Sequence, residues 1–344
     1  MSNLRTLWAG LLLATVAVFV VACALAGLPA HAGSSLAGPK PPPARPAGRA
    51  VLPGTLDQPG APLRAVGPDA FGYIVSDSNE PNGPGYSYIA ATQVISGFVG
   101  DDVTRTVALP FAVTLYGNSS SSLVVNSNGL LTFAPATCPH PNERCYFNYN
   151  LPDTSAPPDL IAPYWDDLII STTLNTGIYT DVRGTAPARS FIIEWRNATF
   201  YDDPTASVTF QAVFHEQSNE IDFEYATLAG SFGTGNSATI GIQNRSQTVA
   251  LPYSYNQSVL VSHTAVRFLA LLSPGPQQAN SACAAVVYTG TVINPTSAPL
   301  IFTLSRSDSN PDYSSVVSPT TTDPIAPGAA VPFTVTVNVP SGAA

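Results

Sequence analysis

Between Val94 and Leu272, short runs rich in β-branched and aromatic residues recur between turn signals, and no helical period of useful length appears. Strands joined by tight turns pair antiparallel, because a parallel pairing needs a long crossover between its strands. The expected fold class is therefore all-β, an antiparallel β-sandwich. Leu123 to Phe133 carries Asn128-Gly129 between apolar segments, a strong short hairpin signal. Val208, Phe210, Ala212 and Phe214 alternate with Thr209, Gln211, Val213 and His215, and beyond a turn at Glu216 to Asn219 the residues Ile221, Phe223 and Tyr225 alternate with Glu220, Asp222 and Glu224. Paired as a hairpin, these strands place the aromatic and aliphatic residues on one face to build core. The other face, with His215, Gln211 and the three acids, is expected to meet water. Phe191 to Phe200 and Ala238 to Gln243 read as further strands.

Leu160 to Leu168 sets the run Leu-Ile-Ala-Pro-Tyr-Trp against two adjacent carboxylates. Pro163 cannot donate to a sheet ladder, so this strand is expected at a sheet edge or at the start of a strand. Trp165 is expected to point inward, with Asp166 and Asp167 at the solvated rim.

The ends of the chain read differently. Residues 1–32 carry Arg5, an apolar run from Leu7 to Val21 and the small-x-small triplet Ala30-His31-Ala32, the pattern of a secretory signal peptide cleaved after Ala32. Val20-Val21-Ala22-Cys23 supports the rival reading of a lipobox, with Cys23 as a lipidated anchor at the cell surface. Residues 33–68 form a Pro/Ala-rich linker without hydrophobic periodicity. The sandwich is expected over 69–272 and a second linker over 273–282. Over 283–344 the runs Ala284 to Asn294, Leu300 to Ser305 and Val331 to Val339 read as strands of a small second sandwich. That is too few strands for a complete immunoglobulin-like domain, which needs about seven.

The chain has 22 acidic against 13 basic residues, a net charge of −9. Nucleic acid is excluded as a partner, since phosphate binding needs a basic surface. Lys40 is the only lysine, and with the abundant alanine and proline this is the residue usage of a GC-rich bacterial genome. No stretch after the leader reaches the roughly 20 apolar residues that span a bilayer.

Cys138 and Cys145 enclose a proline-rich polar loop and read as a small surface disulfide worth about 2.5 kcal/mol. A zinc site using His140 between them lacks a fourth local ligand. Catalytic patterns are sparse: there is no Gly-x-Ser-x-Gly elbow, no His-Glu-x-x-His and no phosphate loop. A serine triad built on His215 or His263 has nothing but residue type behind it. Glu220, Asp222 and Glu224 have the alternate spacing of any strand face, about 7 Å per step. The chain is expected not to be an enzyme and to need no cofactor other than calcium. Asp77, Asn79 and Glu80, or Asp166 and Asp167, offer hard oxygen ligands to that ion, although Asp77 to Glu80 equally suits a turn capped by its own side chains. Tyr164, Tyr201 and Tyr253 could stack on sugars or serve as half-buried strand aromatics.

Leu109 to Gly117, Leu123 to Phe133, Leu160 to Leu168, Gly177 to Tyr179, Phe191 to Trp195, Thr209 to Phe214 and Ile240 to Gln243 follow in the order that resembles nidogen-like extracellular β-sandwich domains, the bacterial versions above all. Residues 284–340 resemble the immunoglobulin-like modules appended to bacterial carbohydrate-active enzymes. The first resemblance implies a secreted, non-catalytic module for adhesion or recognition, with an extracellular protein or glycan as partner. The alternative is the accessory portion of a secreted hydrolase of the subtilisin-like serine protease type. The family supplies no common catalytic site or ligand to carry over.

Overall fold

The computed structural model describes residues 13–18, 67–80, 83–133, 145–171, 176–216, 218–274, 286–294, 299–308 and 314–338. Among these residues every regular element is a β-strand, so the all-β expectation is borne out. One sheet orders Tyr73–Asp77, Thr264–Ala270, Ile221–Ala229, Ser207–His215, Ser190–Phe200, Gly177–Arg183 and Gln93–Val94, with Leu168–Ile170 and Gly100–Asp101 attached beside Ser190–Phe200. A second sheet orders Ala250–Tyr255, Thr239–Gln243, Leu160–Trp165, Leu130–Thr132, Asn118–Asn126 and Thr104–Leu115. All ladders within these two sheets are antiparallel.

One buried apolar cluster draws on both sheets. The predicted alternation places Val208, Phe210, Ala212, Phe214, Ile221, Phe223 and Tyr225 inside it, and the hairpin register pairs Phe214 with Ile221, Ala212 with Phe223 and Phe210 with Tyr225. Each of the valine, isoleucine and phenylalanine side chains among them contributes roughly 1.5–3 kcal/mol by leaving water. Hydrogen bonds cross the same space: Trp195 Nε1 donates to the Asn126 carbonyl at 2.9 Å, and Tyr225 Oη to the Pro163 carbonyl at 2.8 Å. A bulge between Trp195 and Ala198, with Asn197 at φ 49°, absorbs one extra residue. Its parity change keeps Ala198 and Phe200 in the interior with Ile193 and Trp195. The Asn128-Gly129 hairpin forms as expected, with Asn126 paired to Leu130. Gly129 has φ +73°, and a Cβ there would stand 1.9 Å from the Tyr164 carbonyl oxygen, so glycine is required at that position.

Two expectations are corrected. Leu160–Trp165 is not an edge strand; it lies between Leu130–Thr132 and Thr239–Gln243. Pro163 is accommodated because the ladder slips there: Ala162 pairs with Gly241 and Trp165 with Thr239, leaving Pro163 and Tyr164 opposite the single residue Ile240. The missing N–H falls in a bulge, where no ladder bond is lost. Trp165 is buried as expected, but beneath the segment that follows Cys145 and not between the sheets; it packs with Cys145, Leu151, Ala156, Leu160 and Ala162, and its Nε1 donates to the Cys145 carbonyl at 2.7 Å. The second correction concerns the polar face of the Ser207–His215 and Ile221–Ala229 hairpin. Gln211, Asp222 and Glu224 are buried there rather than solvated: the 83–94 segment is bonded to Glu224 through the Ser87 N–H, and Asp222 is enclosed by its partners Arg267 and His215.

Beyond the sandwich, Leu272–Pro274, Val286–Ile293, Ala330–Asn338 and Ser314–Ser318 make a four-stranded antiparallel sheet. It has its own core of Leu271, Val292, Phe302, Leu304, Val317, Ile325, Phe333, Val335 and Val337, on which Ile74 of the sandwich packs. Leu13–Val18, within the expected leader, pairs in parallel with Thr303–Asp308. Ala32 and Cys23 lie outside the described residues.

Candidate functional site

Three adjacent strands bring Glu194, Gln211 and Glu224 into one cross-strand row on the outer face of the first sheet. All three are buried. The 83–94 segment is anchored to this row: Tyr88 Oη donates to Glu194 Oε1 at 2.7 Å, Ala91 N–H to Glu194 Oε2 at 2.7 Å, and Ser87 N–H to Glu224 Oε2 at 3.1 Å. Arg196 closes the arrangement. Its Nε and Nη2 donate to the Glu194 carboxylate at 2.6 and 2.8 Å, Nη2 also reaches the Ala91 carbonyl at 2.7 Å, and Cζ stands 3.9 Å from the Tyr179 ring centre. These are charge-assisted contacts in a water-poor setting, where a carboxylate without its donors is costly.

Burial, reinforced by the charge of Asp222 and opposed by the Ser87 N–H bond, pushes the Glu224 carboxyl up to about 7. A carboxyl raised on folding contributes stability that is fully present below its unfolded value and is lost as pH rises through 7. Glu224→Gln, neutral at every pH, is therefore expected to raise the melting temperature at pH 8.5 and to leave it nearly unchanged at pH 5. Equal shifts at both pH values would show that Glu224 does not titrate in this window.

The adjacent part of the same face carries a second network. Ser190 and His215 are cross-strand neighbours; Ser190 Oγ lies 3.0 Å from His215 Nδ1, and His215 Nε2 lies 3.0 Å from Asp222 Oδ2. Arg267 donates to Asp222 through Nε and Nη2, each at 2.7 Å. Burial raises the Asp222 carboxyl, but the hydrogen bonds and charges of Arg267 and His215 outweigh it and hold the group below its ordinary value. Ser190 and His215 open into a groove of about 510 Å³ whose other walls are Leu269, Leu271, Thr291 and Ile293. Arg189, paired with Glu216 at 2.6 Å, stands at the same groove.

At another edge, the strand Gly100–Asp101 pairs with Leu168–Ile170, which brings Asp101 and Asp102 close to Asp167. Carboxylate oxygens of Asp101, Asp102 and Asp167 lie within 4.8 Å of one another. The buried Asn128 braces this corner: its Nδ2 donates to Asp102 Oδ1 at 3.0 Å and its Oδ1 accepts the Leu168 N–H at 3.0 Å. Asp166 and Asp167 are half-buried rim residues. Asp166 accepts the Asp167 N–H at 2.9 Å through Oδ1 and the Ser237 hydroxyl through Oδ2. The other expected set is engaged within the protein. Asp77 is buried, its Oδ1 accepts the Asn79 N–H at 2.7 Å and its Oδ2 the Tyr253 hydroxyl at 2.9 Å. Burial and the neighbouring Asp77 push Glu80 up to about 7. Of the three tyrosines, Tyr164 is in the core and Tyr253 is half-buried, while Tyr201 is 39% exposed. Cys145 is buried at φ 66°; Cys138 and His140 lie outside the described residues. His263, at φ 65°, meets the Tyr86 ring edge-on at 5.5 Å.

Sequence reasoning passed over Glu194, Arg196, Ser190, Arg267 and the Asp101-Asp102 pair. A signal for the first two was present: in Phe191-Ile-Ile-Glu-Trp-Arg, two opposite charges at alternate positions of an apolar strand share a face.

Two antiparallel sheets over a shared apolar interior, with part of the polar outer face covered by the chain itself and three carboxylates at one rim, define an all-β module. The chain belongs to the NIDO-related family, whose model matches residues 73–282. That is a non-catalytic module type, and it agrees with the nidogen-like resemblance of the motifs. Neither the comparison with curated proteins nor that with solved structures returns a match. Among the described residues no helix is long and apolar enough to cross a membrane.

Proposed function

We propose that this is a secreted bacterial module for adhesion or ligand recognition at the cell exterior, with an extracellular protein or glycan as its partner and binding, not turnover, as its primary role. Membership of the NIDO-related family over residues 73–282 is the observation that supports it. The leader-like segment of 1–32 and a Cys138–Cys145 disulfide fit the same compartment. The C-terminal region 283–344, read as an incomplete immunoglobulin-like module, would act as spacer or accessory binder. The full chain, immobilised in buffer with millimolar calcium, is expected to retain members of a glycan array or purified fibrillar matrix proteins. Retention of none would refute the recognition reading.

Calcium belongs to this proposal through the acidic rim. With Asp167 beside Asp101 and Asp102, millimolar calcium is expected to raise the melting temperature relative to chelator, and Asp167→Asn to abolish the rise. No change in the wild type would leave Asp166 and Asp167 as rim residues only. The accessory portion of a secreted hydrolase remains the second reading, carried by the bacterial resemblance of the motifs. A fused or neighbouring catalytic domain in the genome would favour it over a free-standing adhesin.

A further inference from the structure

We propose that Ser190, His215 and Asp222 act as nucleophile, base and orienting acid at the groove between the first sheet and the C-terminal four-stranded sheet, and can take an acyl group from a small uncharged carboxylic ester. The arrangement meets the geometric requirement for an activated hydroxyl. A serine lies within hydrogen-bond reach of a histidine, at 3.0 Å, and the far nitrogen of that histidine is held by a carboxylate, also at 3.0 Å. With Asp222 ionised, Nε2 carries the proton and donates it to Oδ2, which leaves the Nδ1 lone pair facing Ser190. Arg267 fixes Asp222 by two bonds of 2.7 Å, so the orienting acid is rigid.

The groove supplies a place for substrate. Its volume of about 510 Å³ suits a small molecule. Leu269, Leu271 and Ile293, which line the same groove as Ser190, offer apolar surface to an acyl chain. Arg189 spends its Nε and Nη2 contacts on Glu216 and retains further N–H donors for a developing oxyanion. The step is then an ordinary acyl transfer. Ser190 Oγ bonds to the ester carbonyl carbon as its proton passes to His215 Nδ1. The ester C–O bond breaks and the alkoxide takes that proton. Water repeats the sequence and releases the carboxylic acid. The inference goes beyond the recognition reading, which needs no bond made or broken, so either can fail without the other.

Diisopropyl fluorophosphate tests it on the full chain, since Ser190 would displace fluoride and keep the diisopropylphosphoryl group. Peptide mapping is expected to find one adduct, on Ser190. Ser190→Ala should give none, and Ser218→Ala, another groove hydroxyl, should label like the wild type. His215→Ala should slow labelling by roughly 100-fold, with a thermal melt to show that the fold persists. Where that variant is unstable, Ser190→Cys serves instead: its thiol should react with iodoacetamide roughly tenfold faster than that of Ser218→Cys. No adduct, an adduct elsewhere, labelling indifferent to His215, or equal thiol rates would overturn the proposal.

Discussion

Glu194→Ala is expected to cost roughly 3–5 kcal/mol of unfolding free energy and to release the 83–94 segment from the sheet. The Glu194 side chain is fully buried and accepts four hydrogen bonds, from Tyr88, Ala91 and twice from Arg196. Its removal leaves the Arg196 guanidinium without a counter-charge and the Ala91 N–H and Tyr88 hydroxyl without an acceptor. Surface ion pairs are worth at most about 1 kcal/mol, so the size of the loss separates a dry anchor from a wet one. Urea unfolding gives the free energy, and hydrogen exchange at Ala91 and Ile95 reports the segment itself. A loss below about 1 kcal/mol, with exchange unchanged, would show that the apolar contacts of Ala91 with Ile192 and Val213 hold the segment without Glu194.

Trp195→Ala is expected to be comparably severe for a different reason. Removing a fully buried tryptophan costs roughly 3–5 kcal/mol in lost burial and cavity. Trp195 also stacks on Phe210, with ring centres 5.0 Å apart and planes 13° from parallel, and it donates to the Asn126 carbonyl of the facing sheet. The variant therefore breaks a bond between sheets as well as emptying the core, and the orphaned carbonyl adds about 1–3 kcal/mol. Chemical denaturation followed by circular dichroism measures the sum. Retention of near wild-type stability would mean that the sheets close over the cavity.

Much of the sandwich was legible because strand parity is local. Alternation at Val208 to Phe214 and Ile221 to Tyr225 named the interior face correctly, and Asn128-Gly129 marked a real hairpin. Pro163 misled because edge placement is only one way to dispense with an N–H. A bulge opposite Ile240 is the other, and its presence depends on how two distant strands register. The expected water-facing row failed for a related reason. Polar residues at alternate positions look solvated until another segment covers them, and the covering residue Ser87 is 137 positions from Glu224.

The candidate sites divide along the same line. Asp166 and Asp167 could be picked out as a rim pair because adjacent acids follow an apolar strand, yet only the fold brings Asp167 to Asp101 and Asp102 and turns Asp166 to Ser237. Ser190 and His215 sit 25 positions apart, with Asp222 a further 7 beyond His215. Periodicity and ordered motifs within short windows were enough to read the main strands, the apolar face of the Ser207–His215 and Ile221–Ala229 hairpin, and the family. Strand order, bulges and the path of the 83–94 segment decided which charges are dry and which serine meets a histidine, because those contacts are long-range and no local pattern encodes them.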